Sequence, residues 1–546
     1  MSHEETLLFG LVAITIIVII VVVRWISGKT GLPAAVLLTV IGIAYTRLPG
    51  KNIEIDPDLI LTFILPPLLY TAALDSSLLD IRRNLRTVIS LSVALVIVTA
   101  LLVGLGFSLW VTGVGLAAGI ALGAAVAPPD PVAALAVGRK AGLPTNLITL
   151  IQGEGLLNDA TALTILLVAR DVAIGAEHFS VNATVGRFVL AAAGGVLVGW
   201  AVARLIRLLR VLRADPLTAN ALSLATPFLA YLAGERLHVS GLLAVVVAGL
   251  IIGHDTPRYA SGASRLQTSA VWRLIDFLLE GVVFLLIGQQ MDGVLKHLKN
   301  YETSTILAAL AVTLGVVLFL RPLWLVLTQL LPRSLHTRLG GEDDSGTILE
   351  KSLTGRESAV LSWAGTRGVI TLAAVYSLPD TLPNRDLLAF CAFAVVLVTL
   401  VGQGLTFAPL VRWLGLKANE TDKAKLRNEA RSAAVRAALN RIDDIQSEHH
   451  DHVEDEAMHT MRKQLQVRLD RYQHRLDVLE QVDTPEVPPS PQYEAALMVR
   501  QAVIDAEREE LLRWRDAGRL DDENLRVLNR ELDHEELVLP QRNKGH

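Results

Sequence analysis

AVAPPDPVAALAV, Ala125 to Val137, is an apolar stretch interrupted by three prolines and one aspartate, Asp130. Proline lacks the amide donor that a helix interior needs and its ring clashes with the preceding turn. Pro128, Pro129 and Pro131 therefore cannot lie within one unbroken helix. The flanking residues are apolar enough for lipid, and backbone that leaves the helix at membrane depth survives only inside protein or beside a water-filled cavity. The stretch predicts a helix broken near mid-membrane, with Asp130 at the break, inside a larger bundle.

The rest of the chain supplies that bundle. Of 546 residues, 52% are hydrophobic and 19% charged, and the apolar ones concentrate before about residue 415. They form about thirteen runs near 20 residues long, enough to cross a hydrocarbon core as helix. The first six lie near 6–24, 31–47, 57–75, 87–111, 115–137 and 146–170. The others lie near 187–206, 217–235, 239–253, 272–291, 304–331, 357–378 and 386–413. The runs are continuous rather than alternating with period two, which disfavours a membrane barrel. Lys and Arg number about 20 in one set of alternate loops and about 8 in the other, placing the N-terminus outside and the C-terminus in the cytoplasm. The acidic opening MSHEET has no cleavage site after it and reads as the start of a retained span. The single Cys391, inside an apolar run, excludes a disulfide framework.

Span 12 contains SWAGTRGVITLAAV, Ser362 to Val375, in which Gly365 and Gly368 flank Thr366 and Arg367. This is a second expected break, carrying the opposite charge. Spans 5 and 12 correspond if spans 1–6 and 8–13 are two inverted six-helix repeats, and interrupted segments at matching positions point to a transporter's binding site. The expected fold is an all-α membrane protein of about thirteen transmembrane helices, with helices 5 and 12 broken and a cytoplasmic helical tail. The membrane domain is read as residues 1–416 and the tail as 417–546. In the tail, NEARSAAVRAALNRI and MRKQLQVRLDRYQHRLDVLEQV show helical periodicity among charges, fitting either a small domain or an arm that binds a regulator. His449, His450 and His452 are read as solvated rather than as a metal site or pH sensor.

GEGLLNDATALTILLV, Gly153 to Val168, puts two acids into span 6. A carboxylate at the bilayer centre costs roughly 2.5–3.5 kcal/mol, so each needs an offset. Glu154 and Asp159 point roughly 140° apart on a helix and need different partners. Arg321, deep in span 11, is assigned to Glu154 as a structural ion pair. Arg367 and the helix ends at the breaks compensate Asp130, unless that residue is only a helix cap. Asp159 is then left without a fixed countercharge, and such a carboxylate takes up a proton or binds a cation. Asp276 and Glu280, four apart in span 10, are harder to place; Glu280 is expected to face the bundle interior and is assigned no transport role.

Taken together, these segments resemble the monovalent cation/proton antiporters of the sodium/proton exchanger family in their bacterial form. APPDPVAALAV resembles the fifth-span signature, GEGLLNDATAL the sixth, GTRGVITLA the twelfth, LVGQGLTFAPLVRWL the closing segment and LPPLLYTAAL the third. The resemblance implies a homodimer with an elevator-like moving core, Asp159 as the principal cation and proton site with Asp130 nearby, and Asn158 shaping the pocket. It implies a counterpart of the Glu154–Arg321 pair, and electroneutral one-for-one exchange from the Asn-Asp motif. The chain departs from the family pattern at Thr71, where relatives often carry an acid, at Pro129, where many carry a hydroxyl, and at Gly155, where serine is usual. The Thr71 hydroxyl and the Pro129 and Gly155 carbonyls remain as oxygen donors for a hard cation.

The expected function is therefore exchange of Na⁺, K⁺ or Li⁺ for H⁺ in a bacterial plasma membrane, in contact with lipid. No cofactor and no nucleic-acid partner are expected. The chain has no GxxxxGK[ST] phosphate loop to drive a pump, and an enzymatic activity is not expected. A channel gated by the tail, or a transporter-derived sensor signalling through it, is the alternative.

Overall fold

The computed structural model describes residues 3–46, 59–175, 181–212, 215–291, 293, 298, 301–330, 338–342, 348–379, 381–416, 418, 420–448, 452–481, 491–517, 519–520 and 522–537. His449 and His450 lie outside these residues, as does the side chain of His452. The chain divides into two compact units, Met1–Ala418 and Asn419–His546.

In the first unit the helices begin α1 (His3–Thr30), α2 (Ala34–Tyr45), α3 (Ile60–Leu74), α4 (Leu78–Arg83), α5 (Leu85–Trp110), α6 (Leu116–Val126) and α7 (Pro131–Lys140). They continue α8 (Thr145–Ala173), α9 (Val181–Leu212), α10 (Pro216–Arg236), α11 (Gly241–Tyr259), α12 (Gly262–Gln289) and α13 (Thr303–Leu330). A ribbon of β1 (Arg338–Glu342) and β2 (Ile348–Ser352) precedes α14 (Gly355–Trp363), α15 (Val369–Tyr376) and α16 (Arg385–Leu414).

The fold is that of a helical membrane protein. Among the described residues, seven helices are long and apolar enough to cross a bilayer: the apolar parts of α1, α5, α9, α10, α11, α13 and α16. This is fewer than the thirteen runs read from the sequence, for physical reasons. Helices α2, α3 and α6 are apolar but short. Helices α8 and α12 are long but carry acids in their interiors, and the pairs α6–α7 and α14–α15 are interrupted. The ribbon corrects a purely α reading. Arg338 pairs with Ser352 and Glu342 with Ile348 in antiparallel register. The polar connection between α13 and α14 is long enough to satisfy its main-chain groups by folding back on itself.

Burial follows the same logic. Helices α5, α6, α13, α15 and α16 share one core, where Ala100, Phe107, Leu122, Ala373 and Val395 are all inaccessible. A second core joins α3, α9 and α11 through Tyr70, Ala203 and Val245. The outer faces expose Leu105 and Leu109 of α5, Leu190 and Leu197 of α9, and Phe319 and Leu330 of α13. So much exposed apolar surface suits lipid rather than water. Among the described residues, three helices contain a π-helical turn, at Ile60–Ile64, Ser90–Ala94 and Thr399–Gln403.

The second unit contains α17 (Glu420–Glu448), α18 (His452–Glu480), α19 (Pro491–Asp516) and α20 (Asp522–Leu537). Val435 and Ile442 of α17 pack on Leu465 of α18. Helices α19 and α20 are tied by Arg508, which pairs with Asp533 at 2.5 Å and Glu536 at 2.6 Å.

Candidate functional site

The two interruptions meet. The chain leaves α6 after Val126 and enters α7 at Pro131, whose missing amide is no loss at the first helical position. Asp130 is the cap, its carboxylate accepting from the Val132 amide at 3.0 Å. Opposite it, α14 ends at Trp363 and α15 starts at Val369, leaving Ala364–Gly368 non-helical. The breaks are stitched together by two bonds. The Asp130 amide donates to the Thr366 carbonyl at 2.6 Å, and the Thr366 hydroxyl donates to the Asp130 carbonyl at 2.8 Å.

Charge is distributed around this crossing by helix polarity. Gly368 is the cap of α15, and a Cβ added there would run into the Asp130 carboxylate. Asp130 thus sits against the positive N-terminal ends of α7 and α15. Arg367 serves the opposite ends: its Nε donates to the Val126 carbonyl at 2.9 Å, its Nη2 to the Ala127 carbonyl at 3.2 Å, and its Nη1 to the Gly365 carbonyl. Its amide donates to Thr399 Oγ1 at 2.9 Å, in the π-turn of α16. The sequence assigns Arg367 and the helix ends at the breaks together to Asp130. Among the described residues the helix ends face Asp130, while Arg367 forms no ion pair with it and donates instead to the carbonyls of Val126, Ala127 and Gly365.

Helix α8 contributes the other acids. Glu154 and Arg321 form a bidentate pair, Nη2 to Oε2 at 2.7 Å with Nη1 on Oε1, at 1% and 3% exposure. Arg321 Nε also donates to the Leu361 carbonyl of α14 at 2.9 Å. One guanidinium therefore ties α13, α8 and α14 together. Asn158, fully buried, donates its Nδ2 to the Pro129 carbonyl at 3.0 Å, fastening α8 to the break, while its Oδ1 has no partner among the described residues. Asp159 is 3% exposed, and its Oδ2 is likewise without a partner.

A cavity runs along this crossing. Pro129, Asp130, Pro131, Gly155 and Asp159 line it. Gly155 is glycine for lack of room: a Cβ there would lie 2.5 Å from Cγ of Pro131. Thr71 is not among the residues that line the cavity, but its hydroxyl, 2.9 Å from the Leu68 carbonyl, lies 3.1 Å from Oδ1 of Asp276, which does line it. Asp276 and Glu280 of α12 line the cavity, Glu280 on the interior-facing side expected of it. Their spacing placed them on one face; which neighbour that face meets is a tertiary fact.

Interrupted helices crossing around a buried carboxylate, inside a multi-span helical bundle, define a secondary ion transporter. Residues 15–413 match the sodium/hydrogen exchanger transmembrane family. An uncharacterized Na⁺/H⁺ exchanger of Mycobacterium tuberculosis is 32% identical over 98% of this chain and 97% of its own length. The Na⁺/H⁺ antiporter ApNhaP of Aphanothece halophytica is 30% identical over 75% of this chain and 74% of its own. In fold, the chain matches the sodium proton antiporter MjNhaP1 of Methanocaldococcus jannaschii with a TM-score of 0.59 at 18% identity, covering 75% of this chain and 99% of that one. The chain belongs to the sodium/hydrogen exchanger family, a family of antiporters.

Proposed function

We propose that this protein exchanges Na⁺, with K⁺ or Li⁺ as further candidates, for H⁺ one for one, at Asp159. The observation that carries the reading is Asp159 itself, a buried cavity-lining carboxylate with an unpartnered oxygen. A carboxylate so placed holds either a proton or a cation, and holding them in turn on the two sides of the membrane is exchange. Glu154 is neutralised by Arg321 and Asp130 rests on helix ends, so neither has the same need for a mobile charge. The oxygens available to a hard cation are Asp159, the Asn158 Oδ1, and main-chain carbonyls near Pro129 and Gly155.

The finer parts of the reading belong with it. The short and interrupted helices complete about thirteen spans in two inverted repeats. The N-terminus faces outward and the tail beyond residue 416 inward, in a bacterial plasma membrane. The working unit is a homodimer whose core moves against a fixed part, and no cofactor takes part. The tail tunes exchange or carries the contact for a regulator.

The test uses proteoliposomes containing a pH-sensitive dye, with the voltage clamped at zero and Na⁺, K⁺ and Li⁺ added in turn. The native protein should move protons in response to cation, and Asp159→Asn should not. A native protein that dissipates a cation gradient without moving protons would instead be a channel.

A further inference from the structure

The cavity holds more acid than the exchange step at Asp159 uses. Four carboxylates line it: Asp130, Asp159, Asp276 and Glu280. Asp130 is spent as a cap and Asp276 accepts from Thr71. Glu280, one turn along the same face as Asp276, has no hydrogen bond or ion pair among the described residues. Both α12 acids are half-buried, whereas Asp159 is nearly inaccessible, so the cavity wall grades from accessible acids to a buried one with an open valence.

We infer that Asp276 and Glu280 form an approach site for the transported cation, from which it passes to Asp159; this rests on the antiport reading above. A cleft lined by one sign of charge between apolar walls concentrates counter-ions and raises their rate of arrival by roughly tenfold or more. Leu65, Leu69, Leu156 and Phe284 supply the apolar walls. The two acids divide the work. Asp276 is held by Thr71 and keeps its position, while Glu280 is untethered and its longer side chain is free to follow the ion inward. The other charges facing this pair are Arg24 of α1, whose guanidinium lies 5.3 Å over the Phe277 ring between them, Asp75 after α3, and Arg139 of α7. These set the local potential without closing the site, because none forms an ion pair with Glu280 among the described residues.

Glu280 is therefore a residue of affinity and not of stoichiometry.

The experiment uses everted membrane vesicles carrying the full chain, from a host without exchangers of its own, with Na⁺ added at alkaline pH. The apparent KM for Na⁺ is measured at low and high ionic strength, adjusted with choline chloride, for the native chain, Glu280→Gln and Glu280→Asp. At low ionic strength Glu280→Gln should raise KM roughly tenfold with the maximal rate and one-for-one coupling kept, and the difference should shrink at high ionic strength. Glu280→Asp should restore most of the native KM. Native KM in Glu280→Gln at both ionic strengths would overturn the inference, as would a fall in maximal rate that Glu280→Asp does not reverse. A native chain that moves no protons would overturn the antiport reading instead, so the two failures are distinguishable.

Discussion

Asp130 and Thr366 exchange two hydrogen bonds across the crossing of the interrupted helices, one through each residue's main chain and one through the threonine hydroxyl. The pairing fixes the depth of both breaks together, so a shift in one segment has to carry the other with it. Thr366→Val removes the hydroxyl and leaves the Asp130 carbonyl short of a donor. It should destabilise the protein by about 1–3 kcal/mol and lower exchange, whereas Thr366→Ser should retain both. Thermal unfolding in detergent, read beside flux, checks this.

The Glu154–Arg321 pair gives a different signature. Glu154→Gln strands a buried guanidinium and should cost about 3–5 kcal/mol, while replacing both partners by apolar residues of similar volume should cost much less. A double-mutant cycle on thermal stability separates the pair's coupling from the penalty of an orphaned charge. A double variant that costs the sum of the two single ones would show that the pair is not coupled.

Arg367 is predicted to be sensitive to shape as well as charge. Three of its donors reach three different carbonyls, at Val126, Ala127 and Gly365. Lysine keeps the charge but has no planar fork to spread over them. Arg367→Lys should lose most transport while still reaching the membrane, and a variant with near-native flux would place the residue's role in charge alone.

Gly155 tests packing at the pocket. Gly155→Ala drives a methyl group into the Pro131 ring and should cost about 1–3 kcal/mol through overpacking. Combining it with Pro131→Ala should recover part of the loss, measured by the midpoint of thermal unfolding. An additive pair would mean that the two residues are not in contact.

The tail boundary is open to truncation. Ala418 is buried, and its amide donates to the Gly142 carbonyl at 2.7 Å, so it belongs with the first unit. A chain ending after Ala418 should keep exchange and shift its pH dependence or stability. One ending after Leu416 should lose additional stability, from the bond to Gly142.

Much of this site could be read from the chain because membrane burial makes charge conspicuous. Glu154, Asp159, Arg321 and Arg367 stand out in apolar runs, and the prolines around Asp130 and the glycines around Arg367 mark where helix must stop. What periodicity does not carry is which groups meet. Of the two compensations the sequence offers Asp130, the helix ends face it, whereas Arg367 donates to the carbonyls of Val126, Ala127 and Gly365. Thr71 meets the cavity through Asp276, and how α12 is rotated to bring that acid there depends on tertiary packing. The ribbon before α14 was missed because its segment offers no alternating apolar pattern.

The central claim is that cation and proton share Asp159, and the most direct test is proton release from the purified protein in weakly buffered detergent solution when Na⁺ is added. The account predicts about one proton per bound cation from the native chain and none from Asp159→Asn, with Glu280→Gln still releasing protons at higher Na⁺. Undiminished proton release from Asp159→Asn would contradict it.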